Sequence, residues 1–337
     1  MTTTSIRDVA RLAGVSVGTV SNVLNKPDGV SPDSIARVQQ AIDELGYIRN
    51  DAARRLRAGI SSTVGFVVLD GQNPFFNEVV RGAEDEASKK GIAILVGNTD
   101  EDPNREGMYL DLFEEQRVRG VLISPHGDIN ERLKRLKSRQ IPAVLVDRIN
   151  VDGTFSSVSV DSVAGGQIAA QHLIDVGRRR IAFVGGPFDI RQVRDRLEGA
   201  RVAVENSDFD VEIEVVATSA LTVDEGVLAG RRIMARPRQS RPDALFAAND
   251  LLALGLLQSL VVDGTLLVPT QISLIGFDDI AFAAAAAVPL SSVRQPSRMI
   301  GQTALRVLIE ESEDPGMIPR QTVFRPELVV RESTRPV

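Results

Sequence analysis

Between residues 63 and 278 the chain alternates continuous apolar runs with helix-length amphipathic segments, and nothing else in the sequence restricts its fold as strongly. The runs are TVGFVVL (63–69), IAILVGN (92–98), GVLIS (120–124), PAVLVD (142–147), RIAFVG (180–185), ALFAAND (244–250) and ISLIGFD (272–278). Helical spacing fills the intervals, as from Phe75 to Lys90 and from Asn104 to Arg117. A strand that is apolar on both faces must be covered on both faces, and parallel neighbours joined through helices do this. The expected class is α/β, with enough strands for two doubly wound lobes.

In open parallel sheets, ligands sit beyond the carboxyl ends of the strands. Polar residues follow those ends here: Asp70 and Asn73 before Phe75, Asp147-Arg148, Gly185-Gly186, Asn249-Asp250 and Asp278-Asp279. Carboxylates, amides, an Arg and an aromatic can hold a sugar through forked hydrogen bonds to hydroxyls and a stacked apolar face. The same residues can equally serve as caps for the helices that follow.

Composition narrows the chemistry. Cysteine is absent from the 337 residues and only His126 and His172 offer imidazole, so neither a disulfide framework nor a Cys- or multi-His metal site is expected. No GxGxxG follows a strand, GxxxxGK[ST] does not occur, and no strand leads into a GxSxG elbow, so an enzyme on a Rossmann-like fold is the weaker alternative, as is a DNA-free sugar-binding sensor. No cofactor is implied. No apolar run approaches the roughly 20 residues that span a bilayer, and MTTTSIRD lacks the basic and apolar regions of a secretory signal. A cytoplasmic protein with no membrane partner is expected.

The first sixty residues differ from this body. They hold eight Lys or Arg against six Asp or Glu, +2 in a chain of net −6, which leaves −8 for the remainder. Ser5, with Asp8 three residues on, opens a helix bearing Ile6, Val9, Ala10 and Ala13 on one side, and Gly14 closes it. Ser16 caps a second helix with Val20, Val23 and Leu24 inward. Ser31-Pro32-Asp33 starts a third that runs through Ile35, Val38, Ile42 and Leu45 to Gly46. None is long enough to be stable alone, but three can share one small core. The tight Gly14-Val15-Ser16 connection makes the first two a helix-turn-helix. The second helix then exposes Val17, Gly18, Thr19, Ser21 and Asn22, groups suited to phosphates and base edges. On spacing alone a three-helix bundle without DNA stays open.

The strings IRDVARLAGVSVGTVSNVLN and VSPDSIARVQQAIDELGYIRNDAARRLRAG resemble the DNA-binding head of the lactose-repressor (LacI/GalR) family. That likeness implies base reading by Val17, Gly18 and Asn22, and phosphate contacts from Ser16, Thr19, Ser21 and Asn25. Gly18 offers no side chain for this, and Asn22 stands where many relatives carry Arg. The segment NDAARRLR (50–57) reads by itself as a solvated basic linker. By resemblance it is a hinge helix, with Leu56 wedged between central base pairs and Ala53 and Arg57 lining the same minor groove.

The resemblance extends through the body in NPFFNE, RVRGVLI, VDR, RRIAFVGG, RDRLEG, ALFAANDLLALG, ISLIGFDD and PLSSVRQP. It implies two periplasmic-binding-protein-like lobes around a small-molecule, sugar-like effector. Asn73, Phe75, Asp147, Arg196, Leu221, Asn249 and Asp278 would line that site, with Leu221 at a place where relatives often show an aromatic. Asp250 and Asp279 read as caps. The implied organisation is a head over 1–48, a hinge over 49–61 and an effector-binding and dimerisation body over 62–337. A homodimer would meet a palindromic operator, and the protein would be a regulator, a repressor in the main, rather than an enzyme.

Overall fold

The computed structural model of the chain describes residues 4–47, 61–127, 129–150, 152–262 and 266–335. The chain divides into two compact units, Met1–Ile60 and Ser61–Val337.

In the first unit, α1 (Ile6–Leu12), α2 (Val17–Asn25) and α3 (Pro32–Leu45) enclose Val9, Ala10, Ala13, Val20, Val23, Val38 and Ala41. The Asp8 carboxylate accepts from both the Ser5 N–H and its hydroxyl, at 3.0 and 2.6 Å, which fixes the start of α1. Gly14 adopts φ +64, a left-handed value that only glycine takes without strain, and Val15 N–H reaches back to the Ala10 carbonyl at 3.0 Å. Ser16 Oγ accepts from Thr19 N–H at 3.0 Å, so the cap of α2 stands two residues after the glycine.

The second unit holds two six-stranded sheets. Numbered in chain order, the first contains β1 (Thr63–Val68), β2 (Ala93–Asn98), β3 (Val121–Ile123), β4 (Ala143–Val146), β5 (Ser156–Val160) and β11 (Gln321–Phe324), in the order β11-β5-β4-β3-β1-β2. The second contains β6 (Arg180–Gly185), β7 (Glu212–Ala217), β8 (Ala244–Ala247), β9 (Ser273–Asp278), β10 (Ser291–Arg294) and β12 (Glu327–Val329), in the order β12-β10-β9-β8-β6-β7. All pairings are parallel except β10 with β12. The body is therefore a two-lobed α/β structure of the expected kind.

Helices cover the sheets: α4 (Pro74–Ser88), α5 (Pro103–Glu115), α6 (Asn130–Ser138), α7 (Ser162–Asp175), α8 (Arg191–Glu205), α9 (Val223–Met234), α10 (Asp250–Leu257), α11 (Ala281–Ala284) and α12 (Ser297–Glu313). Among the described residues no helix is long and apolar enough to cross a membrane. The chain passes between the lobes after β5, β10 and β11.

Strands β5, β7, β10, β11 and β12 are additions to the apolar runs read in the sequence. The segment SSVSV of β5 is fully buried although three of its five residues are serine. Ser156 and Ser157 give their hydroxyls to Glu311 and Gln321, which makes their burial tolerable.

Helices α7 and α8 touch backbone to backbone. A Cβ at Gly166 would lie 2.0 Å from the Arg196 carbonyl oxygen, and one at Gly199 would lie 1.9 Å from that of Val163. The two glycines therefore set the depth at which α8 packs, and with it the position of Arg196.

Candidate functional site

In the head, α2 presents Val17, Gly18 and Asn22 to solvent, with Thr19 and Ser21 half-buried. The Thr19 and Ser16 hydroxyls lie 2.9 Å apart, so both residues also serve the helix start. Asn25 is the last residue of α2. A Cβ at Gly18 would meet only Ser16 Oγ, at 3.5 Å, so packing does not require glycine there. The hinge residues Ala53, Leu56 and Arg57 lie outside the described residues.

In the body, side chains from both lobes meet at the carboxyl ends of the strands. Asp278 ends β9, and its two oxygens are shared. Oδ1 accepts from Gln295 Nε2 at 2.7 Å and lies 3.5 Å from the Arg196 guanidinium. Oδ2 accepts from Asn73 Nδ2 at 3.2 Å. Asn73 in turn caps α4 by accepting from Phe75 N–H at 3.0 Å. Asp147 follows β4 and is bound by Gln192, whose Nε2 donates to the Asp147 carbonyl at 2.6 Å and to Oδ2 at 3.1 Å. Arg196 lies in the second turn of α8, over the Phe277 ring at 3.7 Å, and donates to the Ala248 carbonyl at 2.6 Å.

Both carboxylates sit on left-handed backbone, Asp147 at φ +56 and Asp278 at φ +108. Such values cost of order 1–3 kcal/mol and collect at functional sites. Burial pushes the Asp147 carboxyl up to about 7; Arg196 and Gln192 oppose that shift, while Asp278 adds to it. Burial also raises Asp278, against the pull of Arg196, Asn73 and Gln295. One guanidinium thus serves two buried acids.

Three buried atoms of this cluster have no partner among the described residues: Asp147 Oδ1, Gln295 Oε1 and Arg196 Nε. Two accept and one donates. Satisfying all three takes two donors and one acceptor, and a pair of neighbouring hydroxyls supplies them.

The remaining expected residues are placed differently. Asn249 faces inward but uses both ends of its amide internally: Oδ1 caps α10 through Leu252 N–H at 2.9 Å, and Nδ2 holds the Leu221 carbonyl at 3.0 Å. Leu221 is half-buried. Phe75 is buried edge-on against Phe76, with ring centroids 5.1 Å apart. Asp250 accepts from Ile280 N–H and the Ser292 hydroxyl, and Asp279 pairs with Arg294 and Arg331, so both serve the framework. Gln192 and Gln295 were not foreseen. Glutamine carries no distinctive sequence signal, although Gln295 lies inside the motif PLSSVRQP.

Against this geometry, the family comparisons are direct. Residues 5–50 match the model for bacterial regulatory proteins of the lacI family, and residues 170–334 match a periplasmic binding protein-like domain. The chain is 35% identical over 332 residues to the ribose operon repressor of Escherichia coli strain K12, covering 98% of this chain and 99% of that one. It is 33% identical to the HTH-type transcriptional repressor PurR of Vibrio vulnificus, with 99% of each covered. A solved complex of the transcriptional regulator CelR with cellobiose superposes at TM-score 0.72 and 31% identity, over 98% of this chain and 99% of that one. The chain belongs to the LacI family of bacterial transcriptional regulators. It is a DNA-binding regulator and not an enzyme.

Proposed function

We propose that the protein is a cytoplasmic repressor whose operator binding is controlled by a sugar held between the two lobes. The observation that carries this reading is the trio of orphaned buried atoms at Asp147, Arg196 and Gln295, two acceptors and one donor, which matches hydroxyl chemistry. CelR is solved with cellobiose and a high-identity relative represses a ribose operon, which makes ribose the first sugar to try. Asn73, Asp147, Arg196 and Asp278 would hold the hydroxyls, with Phe75 and Leu221 lining the site and Asn249 fixing its rim.

Residues 1–48 would form the operator-binding head, 49–61 the hinge and 62–337 the effector-binding and dimerisation body. In the head, Val17, Gly18 and Asn22 would face bases, while Ser16, Thr19, Ser21 and Asn25 would position the backbone. Ala53, Leu56 and Arg57 would enter the minor groove. Two chains related by a two-fold axis would meet a palindromic operator.

A thermal-shift panel of ribose, cellobiose and other sugars tests the effector class. A ligand at a hundred times its Kd adds about 2.7 kcal/mol to the native state. A clear rise with at least one sugar is expected; no rise with any of them contradicts the reading.

A further inference from the structure

A separate cavity of about 210 Å³ lies where Arg148, which follows β4 in one lobe, and Arg191, which opens α8 in the other, line a common wall. Asn130 and Asn150 add amides, Leu145 and Pro125 an apolar floor. The volume is below the roughly 300–1,000 Å³ of sites that enclose a whole drug-sized ligand. It suits a substituent or a small ion.

The chemistry around it favours an anion. Two guanidinium groups approach from opposite lobes, and each carries its charge at any physiological pH. Arg191 is held through Nε by Asp195 at 3.3 Å, a single contact for a group with five donors. Arg148 is positioned by donating to the Gly127 carbonyl. One acid, Asp152, also lines the cavity, and its Oδ1 is engaged by the Thr154 N–H and hydroxyl at 3.1 and 2.8 Å. The N-terminal turns of α6 and α8 reach the same place, since Asn130 and Arg191 are their first residues. The cap residues are Ile129 and Ile190, whose side chains carry no acceptor for a first-turn N–H.

We propose that this cavity is a phosphate subsite shared by the two lobes. It sits one residue along the chain from the hydrogen-bonded pair Asp147 and Gln192, so it borders the sugar cleft. The proposal rests on the sugar-effector reading only for the source of the phosphate, which is either a phosphoryl group on the sugar or a free ion. Because both lobes contribute an arginine, occupancy would hold them together.

Calorimetric titration of the full chain with inorganic phosphate, ribose and ribose 5-phosphate separates the cases. If the phosphoryl group rides on the sugar, ribose 5-phosphate binds at least ten-fold more tightly than ribose, and Arg191→Gln removes that advantage while leaving ribose affinity unchanged. If the ion is free, inorganic phosphate binds alone, and Arg191→Gln weakens it at least ten-fold. Arg148→Gln gives the same loss and serves if the first variant fails to fold. The subsite is overturned if neither phosphate ligand binds better than its neutral control, or if both folded variants bind them like the parent. Ribose binding with no phosphate preference overturns the subsite alone. Phosphate binding without ribose binding leaves the subsite standing and removes ribose as the effector.

Discussion

Asn73 Nδ2 donates to Asp278 Oδ2 at 3.2 Å, tying the loop after β1 in one lobe to the end of β9 in the other across 205 residues of sequence. Asp278 is thus a junction of the two lobes as well as a candidate ligand group. Replacing it by alanine removes the acceptor for Asn73 and Gln295 and the ion-pair partner of Arg196. Asp278→Ala is expected to lose at least ten-fold in sugar affinity by calorimetry. A folded variant that binds sugar like the parent removes Asp278 from the site.

Arg196→Ala should cost more stability. It leaves two buried carboxylates without their shared cation, and breaking a buried pair in this way costs about 3–5 kcal/mol. Urea unfolding of the two variants measures the difference. Equal stability of Arg196→Ala and the parent would show that the guanidinium is not the charge that makes burial of these acids tolerable.

The raised Asp147 carboxyl makes stability depend on pH. Its folded pKa of about 7 lies above the ordinary carboxylate value near 4, so between these limits the folded chain binds the extra proton. Stability from this group is therefore largest below about pH 4 and falls as pH rises through 7. Glu101, which burial and the neighbouring Asp70, Asp189 and Asp100 push up to about 7, adds the same sign. Asp147→Asn is expected to raise the melting temperature more at pH 8 than at pH 5, leaving the residual slope of Glu101. An equal shift at both values contradicts the assignment.

The glycine contact between α7 and α8 predicts a remote effect. Gly166→Ala drives a Cβ against the Arg196 carbonyl, a backbone atom that cannot swing aside. Overpacking of this kind costs about 1–3 kcal/mol. Because the atom met belongs to Arg196, sugar affinity should fall as well. Gly18→Ala, with only Ser16 Oγ nearby, should leave stability unchanged. Melting curves and calorimetry on both variants check the contrast.

In the head, Asn22 is exposed on α2 while Thr19 is tied to the cap at Ser16. An amide paired with adenine gives about 1–3 kcal/mol of discrimination. Asn22→Ala should relax preference at one operator position, and Thr19→Ala should weaken all sequences alike. Matching base-preference profiles for the two variants, read from binding to a randomised operator pool, would contradict this division of roles.

How far the sequence disclosed this arrangement depended on the kind of signal. Apolar runs such as TVGFVVL are legible because burial on both faces leaves no polar positions, and Gly14 and Ser16 mark the turn by their backbone chemistry. The strand SSVSV was illegible because the acceptors for the Ser156 and Ser157 hydroxyls, Glu311 and Gln321, lie more than 150 residues away. Strand ends pointed to Asp147 and Asp278. The partnership of Asp147 with Gln192 depends on how α8 packs, through Gly166 and Gly199, and no local pattern encodes it. Asn249 was legible as a polar strand-end residue, but whether it caps or binds is decided by its contacts with Leu252 and Leu221.

The central claim is that occupancy of the Asp147–Arg196–Asp278 cluster controls the grip on DNA. Operator affinity of the full chain, measured by fluorescence anisotropy with and without the sugar found in the thermal screen, tests it most directly. The expected result is a change of about 5–150-fold, the span of ordinary allosteric coupling, present in the parent and absent in Asp278→Ala. The sign of the change separates an inducer, which weakens binding, from a corepressor, which strengthens it. An operator affinity that does not move when the sugar is shown to be bound, or that moves equally in Asp278→Ala, would contradict the account.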